Sequence, residues 1–247
     1  EVVDKKGNKT ATKSKFAYVN KFDAVTGHLI ERRARFVACG YSQKFGTDYE
    51  ETSCGTMRGA GVRSLFCTAA IDDCDIYCGD VRKAFTQSQL DKEIYVEIPP
   101  QFNMPGKVLK AVMSIEGLKQ SGWLFQRDAY KQLRKQKGVP STIDPNVWFV
   151  EVEGVRITIG LWVDDVLILT PPGRRDLADK FWTDFRTRFD CKDLVPEPRK
   201  YVGLEVSRDR KKRTLTLTQT DYIDKMADKF LQGDHTKAWN LPVDPDD

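Results

Sequence analysis

Two adjacent aspartates, Asp164 and Asp165, interrupt an apolar run over residues 158–170. Removing a carboxylate from water is costly unless a positive group, most often a metal ion, lies against it. A third carboxylate, Asp80, ends its own short apolar stretch much earlier in the chain. Pairs of divalent ions ~3.5–4 Å apart need bridging carboxylates, and Mg²⁺ is usually held by one or two of them plus substrate phosphates. These three residues are therefore predicted to hold two Mg²⁺ ions, and the sequence leaves Mn²⁺ open.

The apolar periodicity predicts the elements that position these carboxylates. Strands are expected over 147–152 and 155–160, joined by Glu153 and Gly154, and the second strand runs on toward the aspartate pair. Helices are expected over 63–72 and at three further apolar stripes. These stripes are Phe125, Ala129 and Leu133; Leu177, Phe181, Phe185 and Phe189; and Tyr222, Met226 and Phe230. Strands and helices mix without regular alternation, which favours an α+β sheet with helices on one face.

Composition narrows the function classes. The 247 residues are 40% hydrophobic and 31% charged, with a net charge of +4, as in a soluble globular protein. No apolar run approaches the ~20 residues of a membrane span, so no membrane partner is expected. The chain has only two histidines, which argues against a zinc site and against a histidine-based catalytic triad. Six irregularly spaced cysteines suggest reduced thiols in an intracellular protein. The chain begins at Glu1 without a methionine, which we interpret as a segment of a longer polyprotein.

Seven segments, in this order and spacing, resemble the successive blocks of the reverse transcriptase of copia-type LTR retrotransposons. They are RARFVACGYSQ (33–43), GTDYEET (46–52), DVRKAF (80–85), EIYVE (93–97), GLKQS (117–121), WVDDVLI (162–168) and YVGLEV (201–206). The resemblance spans about residues 15–235. Together, seven blocks in register are far more specific than any one of them.

The resemblance implies a right-hand polymerase fold with fingers, palm and a partial thumb. Its expected divisions are fingers 1–55 and 89–120, palm 56–88 and 121–206, and a connection with a partial thumb over 207–247. The implied activity is RNA-directed DNA polymerisation, in which dNTPs are added to a primer on an RNA or DNA template by two-metal phosphoryl transfer. Such an enzyme is part of a retrotransposon polyprotein and is expected in the cytoplasm, within virus-like particles or with access to the nucleus. The sequence does not decide the oligomeric state.

The resemblance also assigns roles to individual residues. Asp80, Asp164 and Asp165 match the catalytic carboxylates, and the backbone carbonyl of Val81 completes the shell of one metal ion. Phe85 matches a ring under the nucleotide's sugar that would exclude a 2′-hydroxyl, although an ordinary core aromatic is its alternative. The remaining assignments are Arg33 or Arg35 for the triphosphate, Glu116, Gly117 and Lys119 beside the nascent base pair, Lys200 as a proton donor to pyrophosphate or a plain surface lysine, and residues 201–206 as the primer grip.

Some positions depart from the family's usual wording. Glu116 stands where a tyrosine is common, and a carboxylate there could repel the incoming triphosphate; Trp162 replaces the usual tyrosine before Val-Asp-Asp. Because all three aspartates remain, an active enzyme is favoured. Two alternatives stay open. One is a degenerate or domesticated reverse transcriptase fold that binds RNA or a protein partner. The other is an unrelated metal-dependent nuclease or phosphatase, which explains neither the basic strand nor Phe85.

Overall fold

The computed structural model describes residues 1–5, 10–23 and 26–231, and these form fourteen strands and four α-helices. The strands are β1 (Val2–Asp4), β2 (Ser14–Phe22), β3 (Leu29–Ala38), β4 (Asp75–Asp80), β5 (Tyr95–Glu97), β6 (Lys107–Lys110), β7 (Val139–Pro140), β8 (Val147–Val152), β9 (Val155–Trp162), β10 (Asp165–Thr170), β11 (Val195–Pro196), β12 (Lys200–Tyr201), β13 (Leu204–Asp209) and β14 (Thr214–Thr218). The helices are α1 (Gly59–Ile71), α2 (Ser121–Lys135), α3 (Arg175–Arg186) and α4 (Thr220–Leu231).

A six-stranded antiparallel sheet in the order β11-β4-β10-β9-β8-β7 forms the centre of the described chain. The predicted hairpin is confirmed: β8 and β9 are joined by Glu153 and Gly154, whose φ angles are 53° and 76°. Two successive positive φ angles are those of the tight turn that matches the twist of paired strands. Strand β9 continues to Trp162, and its residues 158–162 pair with β10, which begins at Asp165.

Both faces of this sheet are covered. Val166 and Ile168 of β10 pack into a cluster with α2 and α3, and the alternating Leu167 and Leu169 pack against α1 and Tyr201. Successive side chains of a strand point to opposite faces, so α1 lies opposite α2 and α3. The prediction that the helices lie on one face was therefore wrong, although the α+β class is confirmed. Apolar periodicity identifies the buried stripe of a helix but not the side of the sheet that receives it.

Two glycines make room for this packing on β4 and β9, the two strands that flank β10. A Cβ on Gly79 of β4 would lie 2.3 Å from Cη2 of Trp182, which belongs to α3. On the other face, a Cβ on Gly160 of β9 would lie 2.7 Å from Cδ1 of Leu65 and 3.0 Å from the Met57 side chain. Each glycine is therefore a hole that accepts a large side chain from the layer above it.

The stripes predicted for α2 and α3 are buried, but the start of α1 differs from the prediction. Helix α1 begins at Gly59, earlier than expected, and α2 begins at Ser121, so that Gly122 lies within the helix. The fourth residue of the α3 stripe, Phe189, lies beyond the helix and is buried all the same. Helix α4 spans the predicted stripe of Tyr222, Met226 and Phe230, but these side chains are exposed.

Three smaller sheets surround the central one. They are β2-β3, β1-β6-β5 and β12-β13-β14. The last is fixed to the end of α1 by Arg208, whose side chain is only 9% exposed. Its guanidinium donates to the carbonyl oxygens of Cys74 (2.7 Å) and Ala69 (2.9 Å), to Asp73 (3.0 Å) and to Glu197 (3.1 Å). Arg210 forms further ion pairs with two of these carboxylates and with Asp75. We call these residues the Arg208 clasp.

None of the helices in the described ranges is both long and apolar enough to span a membrane.

Candidate active site

The strand register brings the three predicted carboxylates to one edge of the central sheet. Asp165, the first residue of β10, is the Cα partner of Asp80, the last residue of β4. Asp165 also pairs with Trp162, so Val163 and Asp164 form the two-residue turn between β9 and β10. The N–H of Val81 donates to the carbonyl oxygen of Asp164 at 2.9 Å, which continues the pairing one step past the strand ends.

The turn that carries Asp164 has unusual backbone geometry. Val163 has φ of +53°, a region that a β-branched residue rarely adopts because its Cβ crowds the backbone. Glycine is the usual residue at a positive φ in a two-residue hairpin turn. Strain of this kind persists only where the surroundings determine the conformation, and here both flanking strands are fully paired. The exposed Asp164 is therefore presented at a rigid tip.

The local electrostatics are strongly negative. Burial, followed by the charges of Asp164 and Asp80, raises the pKa of Asp165 to about 6. Burial and the same negative region, through Asp165 and Asp80, raise the pKa of Cys78 to about 12. The pKa of the buried Tyr201 hydroxyl also rises, first through burial and then through Cys78 and Asp165. A site that disfavours further negative charge in this way favours a cation.

The donor set suits a hard divalent cation, but its side chains do not converge. Three carboxylates and a nearby backbone carbonyl are the oxygen ligands that Mg²⁺ or Mn²⁺ prefers. Among the described residues, no three His, Cys, Asp or Glu side chains are gathered closely enough to hold a metal ion. The backbone pairing thus places Asp80 and Asp165 on neighbouring strands, side by side. Their carboxylates would have to rotate toward a common point to hold a metal ion.

The cation beside these carboxylates is Lys192, which sequence reasoning missed. Its Nζ lies 3.1 Å from Oδ2 of Asp80, and its backbone N–H donates to the Asp80 carbonyl oxygen at 2.9 Å. The isolated bridge between Val81 and Cys191 holds the two segments together. Only tertiary pairing reveals this neighbour, because residues 190–193 look like an ordinary charged loop in the sequence.

The structure places Lys200 apart from this group. It begins β12, is exposed, and forms an ion pair with Asp221 of α4 that raises its pKa. Its assignment as a proton donor stays a prediction, and Lys192 is the lysine that contacts a predicted catalytic carboxylate.

Phe85 lies just after the carboxylate of β4, in a short 3₁₀ helix formed by Ala84–Thr86. It is half-buried against the cluster formed with α2 and α3. A Cβ on Gly122 would lie 3.7 Å from Cε1 of Phe85 and 3.0 Å from Cβ of Cys54. The glycine inside α2 therefore lets the helix approach Cys54 closely, whereas the distance to Phe85 is an ordinary van der Waals contact. The exposed part of the ring leaves both sequence interpretations of Phe85 open.

The two predicted triphosphate ligands, Arg33 and Arg35, lie on β3 at alternate positions and so share one face. Arg33 pairs with Glu31 through two hydrogen bonds of 3.3 Å, and this pairing lowers the pKa of Glu31. Arg35 lies 3.8 Å from Glu116, so the carboxylate that departs from the family pattern has a cationic neighbour. Each arginine therefore has an acidic partner in the structure.

Gly117 packs closely against backbone. Its φ is +90°, and an added Cβ would lie only 2.1 Å from the carbonyl oxygen of Ala38. Hydrogen bonds join the same segments: Ala38 N–H donates to Glu116 O (2.8 Å), and Gly40 N–H donates to Gly117 O (3.1 Å). Gly117 thus lies against the last residue of β3. This contact joins the strand that carries Arg33 and Arg35 to the segment that precedes α2.

Lys119 is held by polar contacts on that side of the molecule. Its backbone N–H donates to Oε1 of Gln43 (2.8 Å), and its Nζ donates to the hydroxyl of Tyr49 (2.9 Å). The buried Gln43 and Gln120 share a 3.0 Å hydrogen bond beneath it. Lys119 thus lies in the segment before α2 that also contains Gly117 and that contacts β3, the strand of Arg35.

The predicted primer grip is a hairpin of β12 and β13 whose turn is Val202 and Gly203, with φ of 41° and 82°. Val202 and Trp162 line the same cleft, of about 470 Å³, which extends to the start of α1 and to Ile223 of α4. The hairpin therefore faces the β9–β10 hairpin, whose turn carries Asp164.

The comparison with protein families decides the class of this chain. The model of the family described as "Reverse transcriptase (RNA-dependent DNA polymerase)" matches residues 1–243. The chain belongs to this reverse transcriptase family. The motif resemblance to copia-type elements is confirmed by curated relatives that are retrotransposon Pol polyproteins.

Three of these relatives illustrate how far the similarity extends. The Retrovirus-related Pol polyprotein from transposon TNT 1-94 of Nicotiana tabacum is 33% identical over 208 residues, which cover 82% of this chain and 15% of the relative. The RE1 polyprotein of Arabidopsis thaliana is 29% identical over 78% of this chain and 13% of its own length. The Ty1-MR1 Gag-Pol polyprotein of Saccharomyces cerevisiae is 26% identical over 73% of this chain and 10% of its own. This reverse transcriptase domain therefore spans only 10–15% of these relatives.

Among solved structures, a foamy viral protease-reverse transcriptase in complex with double-stranded DNA matches 91% of this chain and 33% of its own, with a TM-score of 0.46 and 13% identity.

Proposed function

We propose that this domain is an RNA-directed DNA polymerase, which adds dNTPs to the 3′-hydroxyl of a primer on an RNA or DNA template. The observation that carries the proposal is the register that pairs Asp80 with Asp165 and puts Asp164 at the adjoining turn. Three carboxylates at one sheet edge, in a region that raises the pKa of Asp165, suit phosphoryl transfer with divalent ions. Family membership supports the same reaction class.

Asp80, Asp164, Asp165 and the carbonyl of Val81 would hold two Mg²⁺ ions, or Mn²⁺ in their place. When bound, these ions would favour deprotonation of the primer hydroxyl and neutralise charge that develops on the leaving pyrophosphate. The paired strands fix the backbone of Asp164 and Asp165, so that only their side chains would have to rotate to complete the site. Lys192 pairs with Asp80 and would supply a proton to the leaving pyrophosphate.

On the β3 side, the proposal assigns the triphosphate to Arg35 or Arg33, because guanidinium groups match phosphate oxygens with paired hydrogen bonds. A carboxylate at position 116 is expected to repel the triphosphate. The guanidinium of Arg35 reduces this repulsion, because its positive charge lies beside Glu116. Phe85 would exclude the 2′-hydroxyl of ribonucleotides from its place just after β4.

The test is primer extension on an RNA template with dNTPs and Mg²⁺, comparing the chain with Asp164→Asn and Asp80→Asn. Asp179→Asn is the matched control, because Asp179 is a surface carboxylate of α3 paired with Arg175. The proposal expects extension by the chain and by the control, and none by the two site variants. Extension by Asp164→Asn at the control's rate would overturn it.

A nucleic-acid-binding domain that does not polymerise is the second candidate. The observation in its favour is that the three aspartate side chains do not converge among the described residues. Duplex binding measured in the same samples separates the two functions. Binding without extension, in Mg²⁺ and in Mn²⁺ alike, would support the second candidate against the first.

A further inference from the structure

A basic cleft of about 480 Å³ opens on the side of α2 that faces away from the central sheet. Arg127, Lys131 and Lys135 recur at every fourth position and line it, while Phe125 and Ala129 of the same helix are buried against the sheet. Residues two positions apart on a helix lie on nearly opposite sides. We call this the α2 cleft, and none of the three catalytic aspartates lines it.

Arg188, in the segment after α3, faces these side chains, and hydrogen bonds hold its guanidinium in place. Its guanidinium donates to Oδ2 of Asp128 at 2.6 Å and to the carbonyl oxygen of Gln87 at 3.0 Å. Asp128 is a nearly buried carboxylate, and its other oxygen accepts a 3.2 Å hydrogen bond from Arg127. One carboxylate thus orients two guanidinium groups toward the same cleft.

The α2 cleft has an excess of positive charge. Four cationic side chains line it against the single carboxylate of Asp128. Lys131 and Lys135 are exposed, and neither has an ion pair within the part of the chain that the structure describes. Like charges four residues apart on a helix repel, so a bound anion would relieve this repulsion.

We propose that the α2 cleft binds backbone phosphates of single-stranded RNA or DNA outside the catalytic site. Guanidinium groups pair with phosphate oxygens, and the lysines add charge along a row with steps of about 6 Å on the helix. A volume of about 480 Å³ is that of a small-ligand site, so it suits a nucleotide unit of one strand and not a duplex. The inference rests on the proposed function, because a polymerase copies a single-stranded stretch of template.

The test measures binding of a labelled single-stranded 12-mer RNA and of a blunt duplex by fluorescence anisotropy, over a series of salt concentrations. Lys131→Gln combined with Lys135→Gln removes two phosphate contacts, and each contributes about 0.7 to the salt slope for single strands. The slope of log K against log salt should therefore fall by about 1.4 for the 12-mer and stay unchanged for the duplex. Lys211→Gln combined with Lys212→Gln, in the turn between β13 and β14, is the matched control and should change neither.

An unchanged slope for the 12-mer, or an equal change in the control, would overturn the inference. Adding AMP separates the two sources of a nucleotide phosphate: displacement by AMP as effective as by unlabelled 12-mer would assign the cleft to free nucleotides and overturn strand binding. Primer extension with the same samples keeps the two proposals apart. If the chain extends the primer but the double variant leaves the salt slope for the 12-mer unchanged, only the proposal for the α2 cleft is rejected. If the double variant lowers the slope but the chain neither extends the primer nor binds the duplex, only the polymerase proposal is rejected.

Discussion

Nζ of Lys192 lies 3.1 Å from Oδ2 of Asp80, and the backbone N–H of the same lysine donates to the carbonyl oxygen of the same aspartate. Side chain and main chain thus tie one residue to the other. This double attachment makes Lys192 a fixed component of the carboxylate edge, whereas Lys200 forms its ion pair with Asp221 of α4.

The first prediction follows from this geometry. Lys192→Ala should lower the rate of single-nucleotide addition by roughly 10²-fold, because a positioned proton donor typically contributes 10²–10⁴-fold. Lys180→Ala is the control, since Lys180 is also a partly exposed lysine held by a carboxylate, Glu153 at 2.6 Å. Rapid-quench primer extension measures both. A larger loss with Lys200→Ala than with Lys192→Ala would return the role to Lys200.

The second prediction concerns sugar discrimination at Phe85. Phe85→Val should raise kcat/KM for rNTPs relative to dNTPs by at least about tenfold, equivalent to ~1.4 kcal/mol, because space opens for the 2′-hydroxyl. Phe149→Val, at another half-buried phenylalanine on β8, should leave that ratio unchanged. Competition between a dNTP and the matching rNTP gives the ratio directly. Loss of stability without any change in the ratio would mean that Phe85 is only a core aromatic.

The third prediction tests the contact between Gly117 and Ala38. Gly117→Ala should lower the free energy of unfolding by more than about 2 kcal/mol, because strain at φ of +90° adds to a Cβ placed 2.1 Å from the Ala38 carbonyl oxygen. Gly106 has a φ of +75° with nothing within 4 Å of an added Cβ, so Gly106→Ala should show only the strain, about 1 kcal/mol. Denaturant titration compares them. Equal losses would show that the close approach has no energetic consequence.

The fourth prediction concerns the Arg208 clasp. Arg208→Ala should destabilise the domain by about 3 kcal/mol, because the carbonyl oxygens of Ala69 and Cys74 lose the donor that this nearly buried side chain supplies, and only Arg210 is left to pair with Asp73. It should also weaken primer–template binding, since the clasp holds the sheet that carries the Val202 turn. Arg213→Ala, at an exposed position in the following turn, should change stability by less than ~0.5 kcal/mol. Thermal unfolding and duplex binding are the measurements. A loss as small as that of the control would show that the neighbouring Arg210 suffices.

The sequence predicted the parts of this fold that local pattern determines. The stripe of Phe125, Ala129 and Leu133 and the turn at Glu153 and Gly154 follow from spacing and turn chemistry, so both were found in the structure. The motifs also identified the family, as the family model confirms. The sequence does not explain the glycine inside α2, Gly122, because the reason for it is the close approach of Cys54 from another part of the chain.

What remained hidden depended on partners distant in sequence. The approach of Lys192 to Asp80 and the contact of Arg35 with Glu116 have no periodic signal. The prediction of the sheet face on which α1 packs was wrong for the same reason. The roles of the site residues and the divisions between fingers, palm and thumb stay predictions, because geometry alone does not show a substrate.

The two glycine holes bear on how the aspartates come to lie side by side. Strand β10 is buried on both faces, so a slip of one residue would exchange one apolar face for the other, and hydrophobic pattern alone would hardly resist it. Trp182 lies over Gly79, and Leu65 and Met57 lie over Gly160. These two glycines pair with Val166 and Leu167 of β10. A shifted register would bring a Cβ against one of those large side chains. The alignment of Asp80 with Asp165 is thus set from the interior, by two positions that lack a side chain and never meet the substrate.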